Sequence, residues 1–424
     1  MSDFERLWVW GDDALERALS WYRAVSLNRR PAKFRIARTI PLGLAPGEAD
    51  EAALAAELER LTPVFAAKWR AIRDERAPLG PPAPEPTLLD LCAELAWRML
   101  QHCNFCRWYC RVDRSAPPGQ GGAKLGACKL AAESRVSAHF HHPGEEMVYR
   151  GTHGSGTIFF TSCNMRCAFC QNGDISTDKD NGVETGATTL AAVAWLLRLE
   201  GCHNINWVGG DPTIHLHTIV EAIALLGNGF VPGHLDHAKA LRTRADRFDG
   251  FAAAKRHGTY ERAFNAPMLW NSNFYMSAEA MRLLRLLMDV WLPDFKFGPG
   301  RCAIALARTP RYWESVTENL LLLRGWGEDF TIRHLVMPGH VECCTRPVLE
   351  WVAREMPAAP VNIMDQYRPE NFCDPANPKY DPRHAALARR PARAEFEAAC
   401  RHAQRLGLRF EALTYEKQRF GLPM

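Results

Sequence analysis

Residues 156-GTIFFTSCNMRCAFCQN-172 join an apolar run to a loop with three closely spaced cysteines. Residues 156–162 are rich in β-branched and aromatic side chains, which predicts a short buried strand. Cys163, Cys167 and Cys170 follow, separated by three and then two residues. Thiolates are natural ligands of iron-sulfur clusters, and a tight loop can wrap three of them around one 4Fe-4S cubane. Three protein ligands would leave one iron open to a small chelating ligand.

From residue 156 onward, short apolar runs alternate with helical patterns, which is typical of strand-helix units and a parallel sheet. Six such units are fewer than the eight of a closed barrel. The pattern therefore predicts an α/β fold, a partial (β/α)6 TIM-type barrel with a lateral opening. The predicted strands are residues 156–162, 204–210, 267–273, 290–297, 330–337 and 361–367.

The cysteine loop has two other interpretations, a zinc knuckle and a cluster used only for electron transfer, and spacing alone leaves both open. Its position favours a catalytic cluster. The loop follows the first predicted strand at the carboxyl-terminal mouth of a parallel barrel, which is where such folds place their chemistry.

The pattern CxxxCxxC, with Phe169 before its last cysteine, resembles the hallmark of the radical S-adenosylmethionine (SAM) superfamily. Within that superfamily, GSGTIFFTSCNMRCAFCQNGDIS, WLPDFKF, IRHLVMPGH and IMDQYRP are similar to the pyruvate formate-lyase activase-like (PflX-like) subgroup. The resemblance covers roughly residues 100 to 420. It implies a radical SAM core in which a 4Fe-4S cluster and SAM are the cofactors.

The resemblance also implies SAM contacts at the ends of the later strands. Gly209-Gly210-Asp211-Pro212 resembles the turn that holds the amino group of SAM, and Asn271-Ser272-Asn273 a segment that contacts the cofactor. Asp294-Phe295-Lys296 and Arg333 resemble further elements of glycyl-radical activases, with Lys296 and Arg333 as candidate anchors of the SAM carboxylate. The predicted cofactor-binding residues are Phe169, Gly209, Gly210, Asp211, Pro212, Asn271, Asn273, Asp294, Lys296 and Arg333.

A second cysteine group lies upstream, where 103-CNFCRWYC and the later Cys128 supply four potential ligands. Four thiolates complete a coordination shell, which would suit structural zinc or a second iron-sulfur cluster, and the spacing does not separate the two. The PflX-like resemblance implies a metal site here. The candidate ligands are Cys103, Cys106, Cys110 and Cys128.

Two further clusters of polar residues carry weaker expectations. The segment 139-HFHHPGEEM predicts a solvated loop, although the resemblance suggests that Glu145 and Glu146 line the cavity. Cys343 and Cys344 are candidates for a hydrogen-atom donor or an auxiliary ligand. Most cysteines outside the two groups are expected to be small buried apolar residues: Cys92, Cys202, Cys302, Cys343, Cys344, Cys373 and Cys400.

The composition is that of an ordinary globular protein of 424 residues, with a net charge of +4. That small charge predicts neither a nucleic-acid partner nor a membrane partner. The opening residues lack the uninterrupted apolar core of a secretory signal, so a cytoplasmic location is expected. Because that compartment keeps thiols reduced, 14 cysteines indicate metal ligation and not a disulfide framework.

The predicted organisation has three parts: a helical extension over 1–90, a cysteine-rich metal-binding segment over 91–150, and the core over 151–424 with an insertion at 231–266. The expected function is SAM cleavage to a 5′-deoxyadenosyl radical that abstracts hydrogen from a small-molecule or peptide substrate. No residue is assigned to the abstraction itself. An electron donor of the flavodoxin or ferredoxin type is the expected partner.

Two alternatives remain. The chain could be an activase that installs a glycyl radical on a partner enzyme, but those activases present a histidine at the sixth strand, where this chain has Met364, Asp365, Gln366 and Tyr367. It could also be a non-catalytic iron-sulfur or zinc protein that senses redox state or transfers electrons.

Overall fold

A computed structural model describes residues 2–116, 125–241 and 258–416. Its strands are β1 (Arg135–His142), β2 (Ser155–Phe160), β3 (Val183–Glu184), β4 (Ile205–Gly209), β5 (Thr259–Tyr260), β6 (Ala263–Phe264), β7 (Met268–Ser272), β8 (Val290–Pro293), β9 (Ile332–Leu335) and β10 (Val361–Met364). Its α-helices are α1 (Asp13–Ala18), α2 (Ser20–Ser26), α3 (Lys33–Ala37), α4 (Glu51–Arg73), α5 (Leu88–Gln101), α6 (Met147–Arg150), α7 (Gly173–Ser176), α8 (Ala187–Leu199), α9 (Leu216–Gly227), α10 (Asp236–Ala240), α11 (Ala278–Leu284), α12 (Cys302–Ala307), α13 (Tyr312–Trp326), α14 (Arg346–Glu355), α15 (Arg393–Arg405) and α16 (Glu411–Thr414).

Six parallel strands form the framework, in the order β2, β4, β7, β8, β9 and β10. The first four pair by continuous parallel ladders, and β9 pairs with β10 in the same way. Single parallel bridges, Trp291 to Phe330 and Asp294 to Arg333, join the two groups. Each of these strands falls on one predicted from the sequence, so the predicted α/β fold with a partly parallel sheet is confirmed.

The strand β1 corrects the expectation of a solvated loop at residues 139–147. It runs antiparallel along the free edge of β2, with His142 opposite Ser155 and Phe140 opposite Thr157. His139 and His141 are buried, as are Glu145 and Glu146 after the strand. The edge of a parallel sheet has unpaired backbone groups, and pairing with β1 satisfies them. The pairing joins two consecutive strands across the connection of residues 143–154, and the histidine-rich composition of the segment does not indicate it.

Alternation along the strands gives the framework an apolar face and a polar face. Trp207 and Trp270 are buried in the large apolar cluster with the surrounding helices. Asn206 and Asn271 are the sequence neighbours of these two tryptophans, and the side-chain amide of each donates a hydrogen bond of 3.2 Å to the Glu145 carboxylate. Successive strand residues point to opposite faces, so one face packs against helices while the other carries amides and carboxylates.

The amino-terminal helices share this apolar cluster with the framework. Leu54 and Leu58 of α4 and Leu91 of α5 are buried in the same cluster as Leu226 of α9. Thr87 and Asp90 form a reciprocal capping box that begins α5. The apolar core is therefore continuous across residue 90 and joins these helices to the rest of the chain. The domain boundary expected at residue 90, between the helical extension and the cysteine-rich segment, stays a prediction.

The predicted insertion at 231–266 is described in part. It contains α10 and a hairpin of β5 and β6, in which Thr259 pairs with Phe264. Residues 242–257 lie outside the described residues. Within the described ranges, none of the helices is both long enough and apolar enough to cross a membrane.

Candidate cofactor site at the carboxyl ends of the parallel strands

The three-cysteine loop follows β2 directly and is fixed to the framework by its backbone. The Ser162 N–H donates to the Ile175 carbonyl (2.8 Å), and the Ala168 N–H donates to the Leu306 carbonyl (2.7 Å). Phe169 is buried against Phe297 and Tyr367, with ring centroids 6.0 and 5.9 Å away. The loop is therefore held at the position that the sequence predicts, beyond the carboxyl end of the first parallel strand.

The structure brings Cys163, Cys167 and Cys170 into one electrostatic environment. Burial raises the pKa of all three thiols, that of Cys167 to about 12. For each of Cys163 and Cys167, a neighbouring cysteine of the loop raises the pKa further. Thiols that are buried or partly buried and that interact with one another ionise readily only when a cation or a cluster compensates the charge. The donor set therefore suits a metal centre.

Hydrogen-bond donors already point at the sulfurs. The Met165 N–H lies 3.3 Å from the Cys163 sulfur, and Asn273 Nδ2 lies 3.5 Å from it. The Ser176 hydroxyl donates to the Cys170 sulfur at 3.2 Å. Such contacts stabilise thiolates and tune the reduction potential of a cluster. The sequence predicts Asn273 but not Ser176, because a serine six residues past the last cysteine has no recognisable pattern.

Gly209 and Gly210 are required by the close approach of β4 to the start of the cysteine loop. Gly209 has φ of +125°, and a Cβ there would lie 2.2 Å from the Phe160 nitrogen. A Cβ on Gly210 would lie 1.6 Å from the Ser162 carbonyl oxygen. Only glycine fits such contacts. Pro212 then begins a short 3-10 helix that continues the turn.

Asp211 joins the ends of two strands. Its buried carboxylate accepts hydrogen bonds from the Thr213 N–H (2.9 Å), the Ser272 hydroxyl (3.1 Å) and the Asn273 N–H (2.9 Å). Burial raises the pKa of Asp211. The carboxylate thus connects the turn after β4 to the end of β7. Its oxygens already accept three hydrogen bonds from the protein.

Asp294, Lys296 and Arg333 form one ion-pair network with Glu145. Arg333 Nε donates to Asp294 at 2.9 Å, and its Nη1 lies 3.3 Å from Glu145. Its Nη2 donates to Asn271, and Lys296 pairs with the second oxygen of Asp294. Burial raises the pKa of Asp294, but Arg333 and Lys296 outweigh it, so the net shift is downward.

The two predicted carboxylate anchors occupy different positions in this network. The positive charge of Lys296 lowers the pKa of Cys167 and Cys170, so its ammonium lies near the cysteine loop. Among the described residues, Arg333 pairs with two carboxylates, Asp294 and Glu145, whereas Lys296 pairs with Asp294 alone. Lys296 is therefore the better placed of the two cations to meet an anionic group beside the cysteine loop.

Two buried acceptors in the polar interior have no hydrogen-bond partner among the described residues: Glu146 Oε2 and Asn206 Oδ1. Burial raises the pKa of Glu146, whose other oxygen accepts a bond from Asn362 Nδ2 at 2.8 Å. A cavity of about 50 Å³ adjoins Glu145, Glu146 and Arg333. Buried polar atoms without partners are rare, and these could meet donors of a bound molecule.

The upstream cysteines also come together, directly beside the cysteine loop. Electrostatic interactions link Cys106 to Cys103, Cys110 and Cys128. The segment pairs with the residues after β7 through a bridge from Cys106 to Met276, and Trp108 Nε1 donates to the Asn164 carbonyl at 2.6 Å. The four cysteines thus form one group that touches the loop of the other three.

Arg114 is the main residue of this region that the sequence analysis missed. It is 1% exposed and donates to the carbonyls of Leu130, Ala131 and Ile214 and, at 3.8 Å, to the Cys103 sulfur. None of the carboxylates in the described ranges pairs with it. A buried cation needs a counter-charge, and the groups whose negative charge, when ionised, raises the pKa of Arg114 are Cys128, Cys103 and Cys106.

One comparison with known protein families agrees with this site. The family model described as Radical SAM superfamily matches residues 157–352, which contain the cysteine loop, most of β2 and all of β4, β7, β8 and β9. The chain therefore contains a radical SAM domain and is an enzyme. Such a domain implies a 4Fe-4S cluster and SAM as cofactors.

Among individual proteins, an uncharacterized protein of Methanocaldococcus jannaschii is 32% identical over 359 residues, which cover 83% of this chain and 89% of that protein. The crystal structure of Streptococcus suis SuiB bound to the precursor peptide SuiA is similar over 59% of this chain and 46% of that one, with 10% identity and a TM-score of 0.38.

Proposed function

We propose that this enzyme holds its 4Fe-4S cluster on Cys163, Cys167 and Cys170, cleaves SAM reductively and abstracts hydrogen from a small-molecule or peptide substrate. The observation that carries the proposal is the convergence of three thiols, one buried and two partly buried, with an N–H donor on the Cys163 sulfur, an O–H donor on the Cys170 sulfur and Lys296 nearby. Bound there, the cluster and SAM would supply a 5′-deoxyadenosyl radical. The protein's part is placement and electrostatics.

The residues around the loop suit the polar end of SAM. Gly209 and Gly210 keep the backbone of the β4 turn free of side chains beside the loop. Lys296 supplies a positive charge for a carboxylate, with Arg333 behind it. Asp211 is proposed to fix the turn and to add negative charge for an ammonium group, although its oxygens already accept three bonds.

The polar interior supports a substrate with hydrogen-bond donors. Asn206 Oδ1 and Glu146 Oε2 are buried acceptors without partners among the described residues. A substrate amine, amide or hydroxyl would satisfy them, whereas an apolar substrate would leave them desolvated. A partial (β/α)6 barrel, open at the side, would give such a substrate its path to the cluster.

The direct test is SAM cleavage. Full-length protein, reconstituted anaerobically with iron and sulfide and mixed with dithionite and SAM, is expected to form methionine and 5′-deoxyadenosine, measured by chromatography and mass spectrometry. Without dithionite, neither product should accumulate. A fully cluster-loaded protein that binds no SAM and forms no 5′-deoxyadenosine would contradict the proposal and favour an electron-transfer role.

The upstream group is proposed as a second metal site, either zinc or an iron-sulfur cluster, on Cys103, Cys106, Cys110 and Cys128. The buried charge of Arg114 supports ionised thiols there. Contact through Trp108 and Asn164 puts this group close enough to the cysteine loop to relay electrons if it holds a cluster.

We expect Arg114→Met to lower the metal content of the upstream site, because it removes the positive charge that stabilises the thiolates. Arg114→Lys keeps the charge and should restore part of the content. Iron, sulfide and zinc are counted in anaerobically purified protein, with exposed Arg111→Met as the matched control. Equal metal content in Arg114→Met and wild type would show that Arg114 has a purely structural role.

An acidic electron carrier is the proposed partner, of the flavodoxin or ferredoxin type, in the cytoplasm. A cavity of about 680 Å³ borders the cysteine loop. Of the described residues, five lysines and arginines line this cavity, Lys129, Arg166, Arg308, Lys379 and Arg383, together with one carboxylate, Asp381. An excess of positive charge steers acidic partners toward such a surface.

The PflX-like subgroup remains an interpretation of sequence motifs, and glycyl-radical activation stays the second candidate on the same cofactor chemistry. Where activases present a histidine, Tyr367 is buried against Phe169 and donates to the Leu387 carbonyl at 2.7 Å. This tyrosine supports the cysteine loop, and the contact does not favour activation of a partner enzyme.

A further inference from the structure

Four potential metal ligands converge outside both cysteine groups: Cys302, His340, Cys343 and Cys344. Their ligand atoms all lie within 4.8 Å of one another. The Cys343 sulfur is 3.6 Å from that of Cys302 and 3.9 Å from that of Cys344. The His340 Nδ1 is 3.3 Å from the Cys343 sulfur and 3.6 Å from the Cys302 sulfur.

The ligands come from the loops that follow two neighbouring parallel strands. Cys302 begins α12, after β8, whereas His340 precedes a single π-helical turn, Val341–Thr345, after β9. Gly298 lets the two loops touch, since a Cβ there would lie 2.2 Å from the Cys343 carbonyl oxygen. The group therefore links the loop beyond Lys296 to the loop beyond Arg333.

The distances fit a tetrahedral zinc ion. Zn–S bonds of about 2.3 Å and Zn–N bonds of about 2.0–2.1 Å place two sulfurs about 3.8 Å apart, and a sulfur and a nitrogen about 3.6 Å apart. Four of the six separations, 3.6 and 3.9 Å for sulfur pairs and 3.3 and 3.6 Å for sulfur and nitrogen, lie close to these values, and the other two are within 4.8 Å. A disulfide needs sulfurs about 2 Å apart, and a cubane cluster, lying between its ligands, keeps them farther apart.

We propose that Cys302, His340, Cys343 and Cys344 bind one structural zinc ion. Three thiolates and one imidazole complete a tetrahedral shell, so the metal has no open position for a substrate. Binding releases the thiol protons to solvent. The ion fixes the two loops to each other and so steadies the strand ends that carry Lys296 and Arg333.

This assignment corrects one expectation from the sequence. Cys302 and Cys343 are not small buried apolar residues, because Cys343 is exposed and Cys302 is partly exposed, whereas Cys344 is buried as expected. The suggestion of an auxiliary ligand at Cys343 and Cys344 agrees with the geometry. The complete set was not apparent from the sequence, because Cys302 lies 38 residues before His340.

The test counts zinc, iron and sulfide in full-length protein purified anaerobically without chelators. We expect Cys343→Ser and His340→Asn each to lose one equivalent of zinc per chain and to melt at a lower temperature than wild type. Iron and sulfide should stay unchanged. Cys110→Ser changes the upstream site and should keep this zinc ion, whichever metal the upstream site binds. Cys400→Ser should contain as much zinc, iron and sulfide as the wild type.

Cobalt substitution gives a second measurement. The protein treated with Co²⁺ should show ligand-field bands of tetrahedral cobalt with thiolate ligands, which Cys343→Ser weakens and Cys400→Ser does not. Cys343 is exposed, so its serine variant requires no repacking. Zinc X-ray absorption is measured on the wild type and on Cys110→Ser. In both, the zinc ion that Cys343→Ser loses should have three sulfur ligands and one nitrogen ligand.

Three results would overturn the proposal: unchanged zinc and cobalt spectra in Cys343→Ser, no zinc in wild type even after exposure to Zn²⁺, or a Cys302–Cys343 disulfide in anaerobic protein. SAM cleavage by the cysteine loop is measured separately. Its failure would leave the zinc result standing, and failure of the zinc site would leave the proposed cleavage intact.

Discussion

Cys163→Ala is expected to eliminate SAM cleavage. The remaining thiols, Cys167 and Cys170, cannot hold a cubane that needs three protein ligands, so reconstituted protein should lose the iron and sulfide of one 4Fe-4S cluster. Formation of 5′-deoxyadenosine should then fall to the level of a protein-free control. Elemental analysis, low-temperature electron paramagnetic resonance and product chromatography measure these effects.

The matched control is Cys92→Ala, which removes a buried thiol in α5, outside every proposed metal group. Both changes delete one sulfur from the interior, at a cost of about 1–3 kcal/mol, so a general loss of stability would affect them alike. Undiminished cluster and product in Cys163→Ala would rule out this loop as the SAM-cleaving centre and direct attention to the upstream cysteines.

Gly210→Ala is the second change with a large expected effect. Its Cβ would lie 1.6 Å from the Ser162 carbonyl oxygen, a backbone atom that cannot rotate away. The β4 turn or the cysteine loop must therefore move. We expect destabilisation at or above the usual overpacking cost of about 1–3 kcal/mol, together with a reduced cluster content. Thermal unfolding and iron analysis of reconstituted protein test both.

Gly325→Ala is the control for this experiment. Gly325 is exposed in α13, and an added Cβ meets nothing within 4 Å. Alanine there should stabilise the protein by up to about 1 kcal/mol, because it restricts the unfolded chain and favours helix. Equal unfolding temperatures and cluster contents for the two alanine variants would contradict the close approach of β4 to the loop.

The charged network illustrates what the sequence could not predict. Motifs nominate Asp294, Lys296 and Arg333 one by one, yet their pairing with one another and with Glu145 depends on strand register. The bridge from Asp294 to Arg333 aligns β8 with β9, and β1 brings Glu145 beneath them. Within the described part of the chain, these contacts pair Arg333 with two carboxylates and Lys296 with one, so Lys296 is the better placed cation for an anionic group beside the cysteine loop.

The sequence by itself determined the cysteine loop and the order of six strands around it. Ligands separated by two or three residues stay neighbours in almost any backbone conformation, and a strand or helix period is a property of a short window. Short-range spacing therefore specified the superfamily and the α/β fold.

Only the tertiary structure decided which distant side chains meet. Arg114 meets the Cys103 sulfur across 11 residues, β1 pairs with β2 across the connection of residues 143–154, and Cys302 meets His340 across 38 residues. Such contacts depend on strand register, loop path and the burial of charge, which arise from the packing of the whole chain and have no local sequence pattern.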